Sequence, residues 1–169
     1  AFNLAEQYRT PVLLMKDEKI GHLRERFEVL PEETPEIINR PGKNKDGKYI
    51  PFENTESGVP PFVSFGQGER YHITGLTHNE QGFYSAKPQV VTDFVKRLSD
   101  KIESHVDQIA KMEEFYLDDA EVVIVAYGSV ARSAQETVMA MREKGKKVGM
   151  LRLITLWPFH DAKVAEICQ

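Results

Sequence analysis

Glu121-Val-Val-Ile-Val-Ala-Tyr127 runs straight into Gly128-Ser129 and then into the helix-patterned stretch Val130 to Arg142. A second apolar run, Val148 to Trp157, follows and stops at Pro158-Phe159. Strand, tight turn, helix, strand, turn is the order of a βαβ unit, and a βαβ unit implies a parallel sheet. The run Val122–Ala126 is apolar at every position, so both of its faces are expected to be covered. Ser129 is a good N-cap by type. Val130, Ala134, Val138 and Met141 lie at helical spacing and form the face expected on the sheet. Gly145 ends the helix, and Asp161 is placed to cap the next one.

Upstream, Phe2, Leu4, Ala5 and Tyr8 recur at helical spacing, and Pro11 closes that helix. Val12-Leu-Leu-Met15 is short and apolar enough for a buried strand. Asp17-Glu-Lys-Ile-Gly21 reads as one helical turn. Between residues 28 and 70 the texture changes. Pro31, Pro35, Pro41, Pro51, Pro60 and Pro61 alternate with Gly42, Gly47, Gly58, Gly66 and Gly68, which prevents long helices. Asn44-Lys-Asp-Gly47 suggests a hairpin turn. The stretch reads as an extended connection, either facing a partner subunit or simply linking domains. Tyr71, Ile73 and Leu76 suggest a short strand. From Pro88 to about Tyr116 one apolar stripe (Val91, Phe94, Val95, Leu98, Ile102, Val106, Ile109, Met112) predicts a single long helix. Lys96, Arg97, Asp100, Lys101, Glu103 and Lys111 lie outside the stripe. At about 1.5 Å per residue it would span on the order of 40 Å, enough to carry the chain from one domain to another.

Composition bounds the chemistry. The chain has 169 residues, 41% apolar and 28% charged, with a net charge of −4. That balance suits a globular protein and offers no basic surplus for a nucleic-acid backbone. No apolar run nears the roughly 20 residues that cross a bilayer. Cys168 stands alone, which excludes an internal disulfide or a cysteine metal cluster and fits the cytoplasm. Both ends read as interrupted patterns, so the expectation is a piece of a larger body.

Few residues offer site chemistry. Gly128 and Ser129 are the anion-loop candidates, because a helix start after a glycine turn presents free N–H groups. The turn holds one glycine and matches neither dinucleotide nor Walker patterns. His72 and His78 are six apart with no cysteine near, which suits loop histidines better than metal ligands. His160 lies beyond the carboxyl end of the second strand, where ligands gather in open parallel sheets. No nucleophile–histidine–acid set can be assembled, so no catalytic or metal residue is assigned.

Several segments in one order carry a resemblance. Ala1-Phe-Asn-Leu-Ala-Glu-Gln-Tyr-Arg-Thr-Pro-Val-Leu-Leu-Met-Lys-Asp17, Tyr71-His-Ile-Thr-Gly-Leu-Thr-His-Asn-Glu-Gln-Gly82, Arg97-Leu-Ser-Asp-Lys-Ile102, Tyr127-Gly-Ser-Val-Ala-Arg-Ser-Ala134 and Leu151-Arg-Leu-Ile-Thr-Leu-Trp-Pro-Phe159 together resemble the alpha subunit of 2-oxoacid:ferredoxin oxidoreductases. The second segment favours the 2-oxoglutarate type. The resemblance implies an α/β fold of parallel-sheet βαβ units. Residues 1–27 would close a pyrimidine-binding thiamine-enzyme domain. Residues 28–118 would form an extended linker with a connecting helix at about 88–116. Residues 119–169 would open a transketolase C-terminal-like domain. It implies oxidative decarboxylation of a 2-oxo acid to an acyl-coenzyme A with ferredoxin as acceptor. Thiamine diphosphate with magnesium and iron–sulfur clusters would belong to the assembled enzyme, none of them bound by this segment alone. A beta subunit would be the main partner, with gamma and delta subunits as further candidates. The family's carboxylate that activates the cofactor's aminopyrimidine has no matching position here. Two other readings compete: an α/β binding or regulatory module for a small anionic ligand, and another thiamine enzyme such as a transketolase or a pyruvate dehydrogenase-type chain.

Overall fold

The computed structural model describes residues 1–28, 36–40, 42–43 and 47–168. The expected hairpin turn at residues 44–47 lies largely outside these described residues, as do Pro31, Pro35 and Pro41. Its elements are α1 (Phe2–Tyr8), α2 (Glu18–His22), α3 (Pro88–Glu103), α4 (Val106–Ile109), β1 (Met112–Phe115), β2 (Val122–Tyr127), α5 (Gly128–Glu143), β3 (Val148–Leu153) and α6 (Asp161–Ile167). They fall into two compact units. One is Ala1–Leu14 with Val29–Ser104, and the other is Met15–Glu28 with His105–Gln169.

The second unit contains the βαβ element. β2 and β3 are parallel, in register from Val122 opposite Val148 to Tyr127 opposite Leu153. α5 crosses between them. Val138, Val148 and Met150 make a core, with Phe115, Ile124, Ala134 and Met141 packed on it. Gly145, at φ 72°, ends the helical run, as expected for a left-handed stop. Arg142 then ties the end of α5 to its surroundings. Its Nε donates to the Val148 carbonyl at 2.7 Å, Nη2 to the Tyr116 carbonyl at 2.7 Å and Nη1 to Asp119 at 2.6 Å.

Other expectations are corrected here. The single helix to residue 116 is cut at Ser104–His105, and Met112–Phe115 is instead a strand, antiparallel to β3. The sheet order is therefore β1-β3-β2. The stripe that suggested helix serves equally for a strand once a partner exists, because pairing to β3 supplies the hydrogen bonds that helix would have supplied. Among the described residues β2 is an edge strand, not a doubly covered one. Ile124 faces α5, so Val125 and Tyr127 point the other way and stay exposed. On α5 the buried residues are Ala131 and Val138, while Val130 is 66% exposed. α6 is capped by His160, not Asp161: the His160 ring accepts from the Lys163 N–H.

The first unit has no named strand among its described residues. Val12 to Leu14 belong to no strand, with Leu13 at 84% exposure, and neither does Met15 of the second unit. Tyr71 to Leu76 is likewise not a strand. The unit is held by aromatic and cationic groups. Arg9, the C-cap of α1 at φ 45°, sits over the rings of Phe52 and Phe62 at 4.7 and 4.5 Å. Its guanidinium donates to the carbonyls of Pro51 and Pro61. Arg40 lies over Phe62 at 4.2 Å and makes a two-pronged pair with Glu6. In place of a sheet, proline-directed loops converge on one planar cation, which satisfies their carbonyls while burying its own face against rings.

Candidate functional site

Gly128 and Ser129, the anion-loop candidates, form the first turn of α5. Gly128 has φ 59° and nothing within 4 Å of a notional Cβ, so the turn is open. Tyr127, extended at φ −144° and ψ 168°, is the N-cap, and no side chain caps the helix. Ser129 is thus one residue inside the helix and exposed, and the capping role expected of it is not realised. Gly128 takes the left-handed conformation that a side chain would resist. An uncapped helix start alone is not a binding site. His160 is engaged by Asp107 and the Lys163 N–H. His78 is buried between Phe52 and Phe94, with ring centroids 3.9 and 4.8 Å away. His72 stacks on Phe83 at 5.1 Å. Neither of these two is placed as a ligand: among the described residues no group of three or more His, Cys, Asp and Glu could hold a metal ion.

The first unit holds a cleft of about 730 Å³ between α3 and the segments around residues 52–58 and 78–80. Its walls include Phe52, Glu80, Phe94, Arg97, Asp100 and Lys101. Lys101 was expected on the solvent side of α3. Instead it is 3% exposed, and its ammonium donates to the Arg9 carbonyl at 3.0 Å. The loop carrying Gly58 closes over Lys101. A Cβ on Gly58 would stand 3.2 Å from the Lys101 Cβ. Burial, then Arg97 and Arg9, push the Lys101 ammonium down to about 8. Burial also lowers Arg97 and Arg9. The signal that could have revealed this cluster was the approach of Gly58, which no local pattern encodes.

A consequence can be tested. Below pH 8 Lys101 is charged in both folded and unfolded chains, and the fold carries the full desolvation penalty. From pH 8 toward the unfolded value near 10.4, only the unfolded chain holds the proton, so stability rises with pH. Between pH 7.5 and 9.5 the gain is on the order of 1–2 kcal/mol. Burial raises Tyr8 and Tyr49, and their contribution opposes the trend only near and above pH 10. Urea unfolding at the two pH values, with Lys101→Met as the variant lacking the slope, measures this. Equal slopes in both proteins would remove Lys101 as the cause.

The implied cofactors call for particular donor groups. Iron–sulfur clusters need several thiolates, and Cys168 is the sole cysteine. A carboxylate for the thiamine aminopyrimidine must be withdrawn from water. Among the described residues the buried polar or charged side chains are His78 and Lys101, neither of them acidic.

Two family models match the chain. Residues 1–97 match the pyruvate flavodoxin/ferredoxin oxidoreductase, thiamine-diphosphate-binding family. Residues 120–169 match pyruvate:ferredoxin oxidoreductase core domain II. The chain belongs to the 2-oxoacid:ferredoxin oxidoreductase family. Among relatives of this chain, 2-oxoglutarate synthase subunit KorA of Methanocaldococcus jannaschii is 44% identical over 163 residues. That match takes in 95% of this chain and 43% of the relative. The same subunit of Methanothermobacter thermautotrophicus is 40% identical, over 97% of this chain and 44% of its own. A solved 2-oxoglutarate:ferredoxin oxidoreductase from Magnetococcus marinus, with 2-oxoglutarate, coenzyme A and succinyl-CoA bound, superposes with a TM-score of 0.73 at 28% identity. It covers 78% of this chain and 23% of that one. The chain thus spans less than half the length of these curated relatives. Among the described residues no helix is long and apolar enough to cross a membrane.

Proposed function

We propose that this chain is the alpha-subunit portion of an enzyme that oxidatively decarboxylates 2-oxoglutarate to succinyl-coenzyme A and passes the electrons to ferredoxin. The carrying observation is 44% identity to a 2-oxoglutarate synthase subunit along nearly the whole chain. The matched solved structure, which holds the 2-oxo acid, coenzyme A and succinyl-CoA together, supports the same reading. Thiamine diphosphate would supply the carbanion chemistry in the assembled enzyme. With one cysteine in the sequence and no buried carboxylate among the described residues, this segment acts as scaffold in this reading.

In this reading residues 1–27 close the pyrimidine-binding domain, 28–118 link, and 119–169 open the transketolase C-terminal-like domain. The family match that begins at residue 120 supports the last boundary. A beta subunit carries the diphosphate-binding domain, further subunits complete the electron path, and the enzyme works in the cytoplasm.

The test is an assay of the assembled enzyme containing this chain in its full-length subunit. Reduction of ferredoxin or a viologen should require both coenzyme A and a 2-oxo acid. The specificity constant for 2-oxoglutarate should exceed that for pyruvate or a branched-chain 2-oxo acid by about tenfold or more. A preference for pyruvate or the branched acid would overturn the substrate. Reduction independent of coenzyme A would overturn the reaction.

A further inference from the structure

The cleft of about 730 Å³ in the first unit has the size of sites that take small organic ligands, roughly 300–1,000 Å³. Its charges are sorted by depth. The carboxylates on its walls, Glu56, Glu80, Asp93, Asp100 and Glu103, are all exposed. Lys101 is buried and Arg97 is half-buried. Water and salt weaken the acids at the mouth, whereas the two cations act where the dielectric is lower.

The cations differ in what holds them. Lys101 donates to the Arg9 carbonyl at 3.0 Å. Exposed Lys96 pairs with Asp100. Among the described residues the Arg97 guanidinium makes neither an ion pair nor a hydrogen bond; it stands 5.9 Å from the Phe94 ring and feels Glu80 only at longer range. Glu80 itself accepts from the Asn54 N–H at 2.9 Å, and Asp93 accepts from Gln89 at 2.8 Å. Arg9, Arg97 and Lys101 also repel one another. A planar fork of five donors, half withdrawn from water beside two other cations, carries a desolvation cost that a bound anion offsets. Phe52 and Phe94 line the same cleft, with the His78 ring between them.

We propose that this cleft binds a small aromatic monocarboxylate, its carboxylate forked on Arg97 and its ring against Phe52 and Phe94. A carboxylate matches the guanidinium through two parallel hydrogen bonds. The aromatic walls favour a planar ring, stacked or edge-on. A single charge fits the balance of the site. The wall acids outnumber Lys96, Arg97 and Lys101 among the described residues, so a multiply charged phosphate would be repelled at the mouth. The site takes no part in the decarboxylation, so binding and not turnover is what tests it.

The full-length subunit is titrated with para-fluorobenzoate and followed by fluorine NMR. Saturation is expected with a dissociation constant on the order of 1 mM or tighter, the strength that a ligand of this size can reach. The neutral para-fluorobenzamide should bind at least about tenfold more weakly, the loss of one charged hydrogen-bonded pair. Arg97→Gln, shown by its urea midpoint to be folded, should weaken the carboxylate by a similar factor. Inorganic phosphate should not displace the probe at equal concentration. Absence of saturation by about 10 mM, a range that corresponds to negligible ligand efficiency, would overturn the proposal. So would equal binding of acid and amide, which is read on the wild type alone and stands even if the variant does not fold. Unchanged affinity in folded Arg97→Gln would remove Arg97 as the anchor, and displacement by phosphate would overturn the ligand class.

Discussion

Gly82→Ala is expected to destabilise the first unit by roughly 2–5 kcal/mol, the sum of a left-handed backbone cost and an overpacking cost. Gly82 has φ 86° and is buried. It closes a small loop in which its N–H donates to the Asn79 carbonyl at 3.0 Å. Asn79 Oδ1 in turn accepts from the Gln81 and Phe83 N–H groups. A Cβ at position 82 would overlap the His72 carbonyl oxygen and stand 3.2 Å from the Phe52 ring. Backbone cannot swing aside as a long side chain can. The comparison is Gly66→Ala. Gly66 has nearly the same φ, 85°, but nothing within 4 Å, so it should cost only the backbone term, about 1–2 kcal/mol. Urea unfolding of both variants separates the two causes. Equal losses would show that the contact with His72 does not matter.

Met150→Ala should cost the second unit about 2–5 kcal/mol. Met150 is fully buried in the middle of β3, between Ile124 of β2 and Phe115 of β1 in the ladder. It packs with Val138 from α5. Truncation leaves a void walled by three different elements, none of which can move in without breaking strand pairing or the anchor at Arg142. Met150→Leu nearly conserves volume and should cost under about 1.5 kcal/mol. Denaturant midpoints followed by circular dichroism decide. A loss below about 1 kcal/mol for Met150→Ala would mean that the sheet collapses onto the void and that α5 is less firmly fixed than its packing indicates.

The two experiments probe units that are stabilised in different ways, and the difference explains what could be read in advance. In the second unit the information is local. An apolar run, a glycine turn, a 3.6-residue stripe and a second apolar run suffice to specify β2, α5 and β3, because backbone hydrogen bonding and one-sided burial leave little choice over such short spans. In the first unit the stabilising partners are far apart in sequence. Arg9 meets Pro51 and Pro61, and Lys101 meets Arg9. No periodicity announces such meetings. The candidate site shows the same contrast. Gly128 is legible as a turn, yet the helix starts at Gly128 with Tyr127 as its N-cap, and Ser129 does not serve as the expected cap.

The amino-acid order by itself determined the βαβ unit, the helices at Phe2–Tyr8 and Gly128–Glu143, and, through motifs kept in one order, the oxidoreductase family. Those features depend on neighbours a few residues apart. Only the tertiary structure decided that Met112–Phe115 pairs with β3 instead of prolonging a helix, that Val12 to Met15 belongs to no strand, that Lys101 is buried and that His160 caps α6. Each of these turns on a group supplied from far along the chain, and contact free energy gained there exceeds the small local preference that a sequence window records.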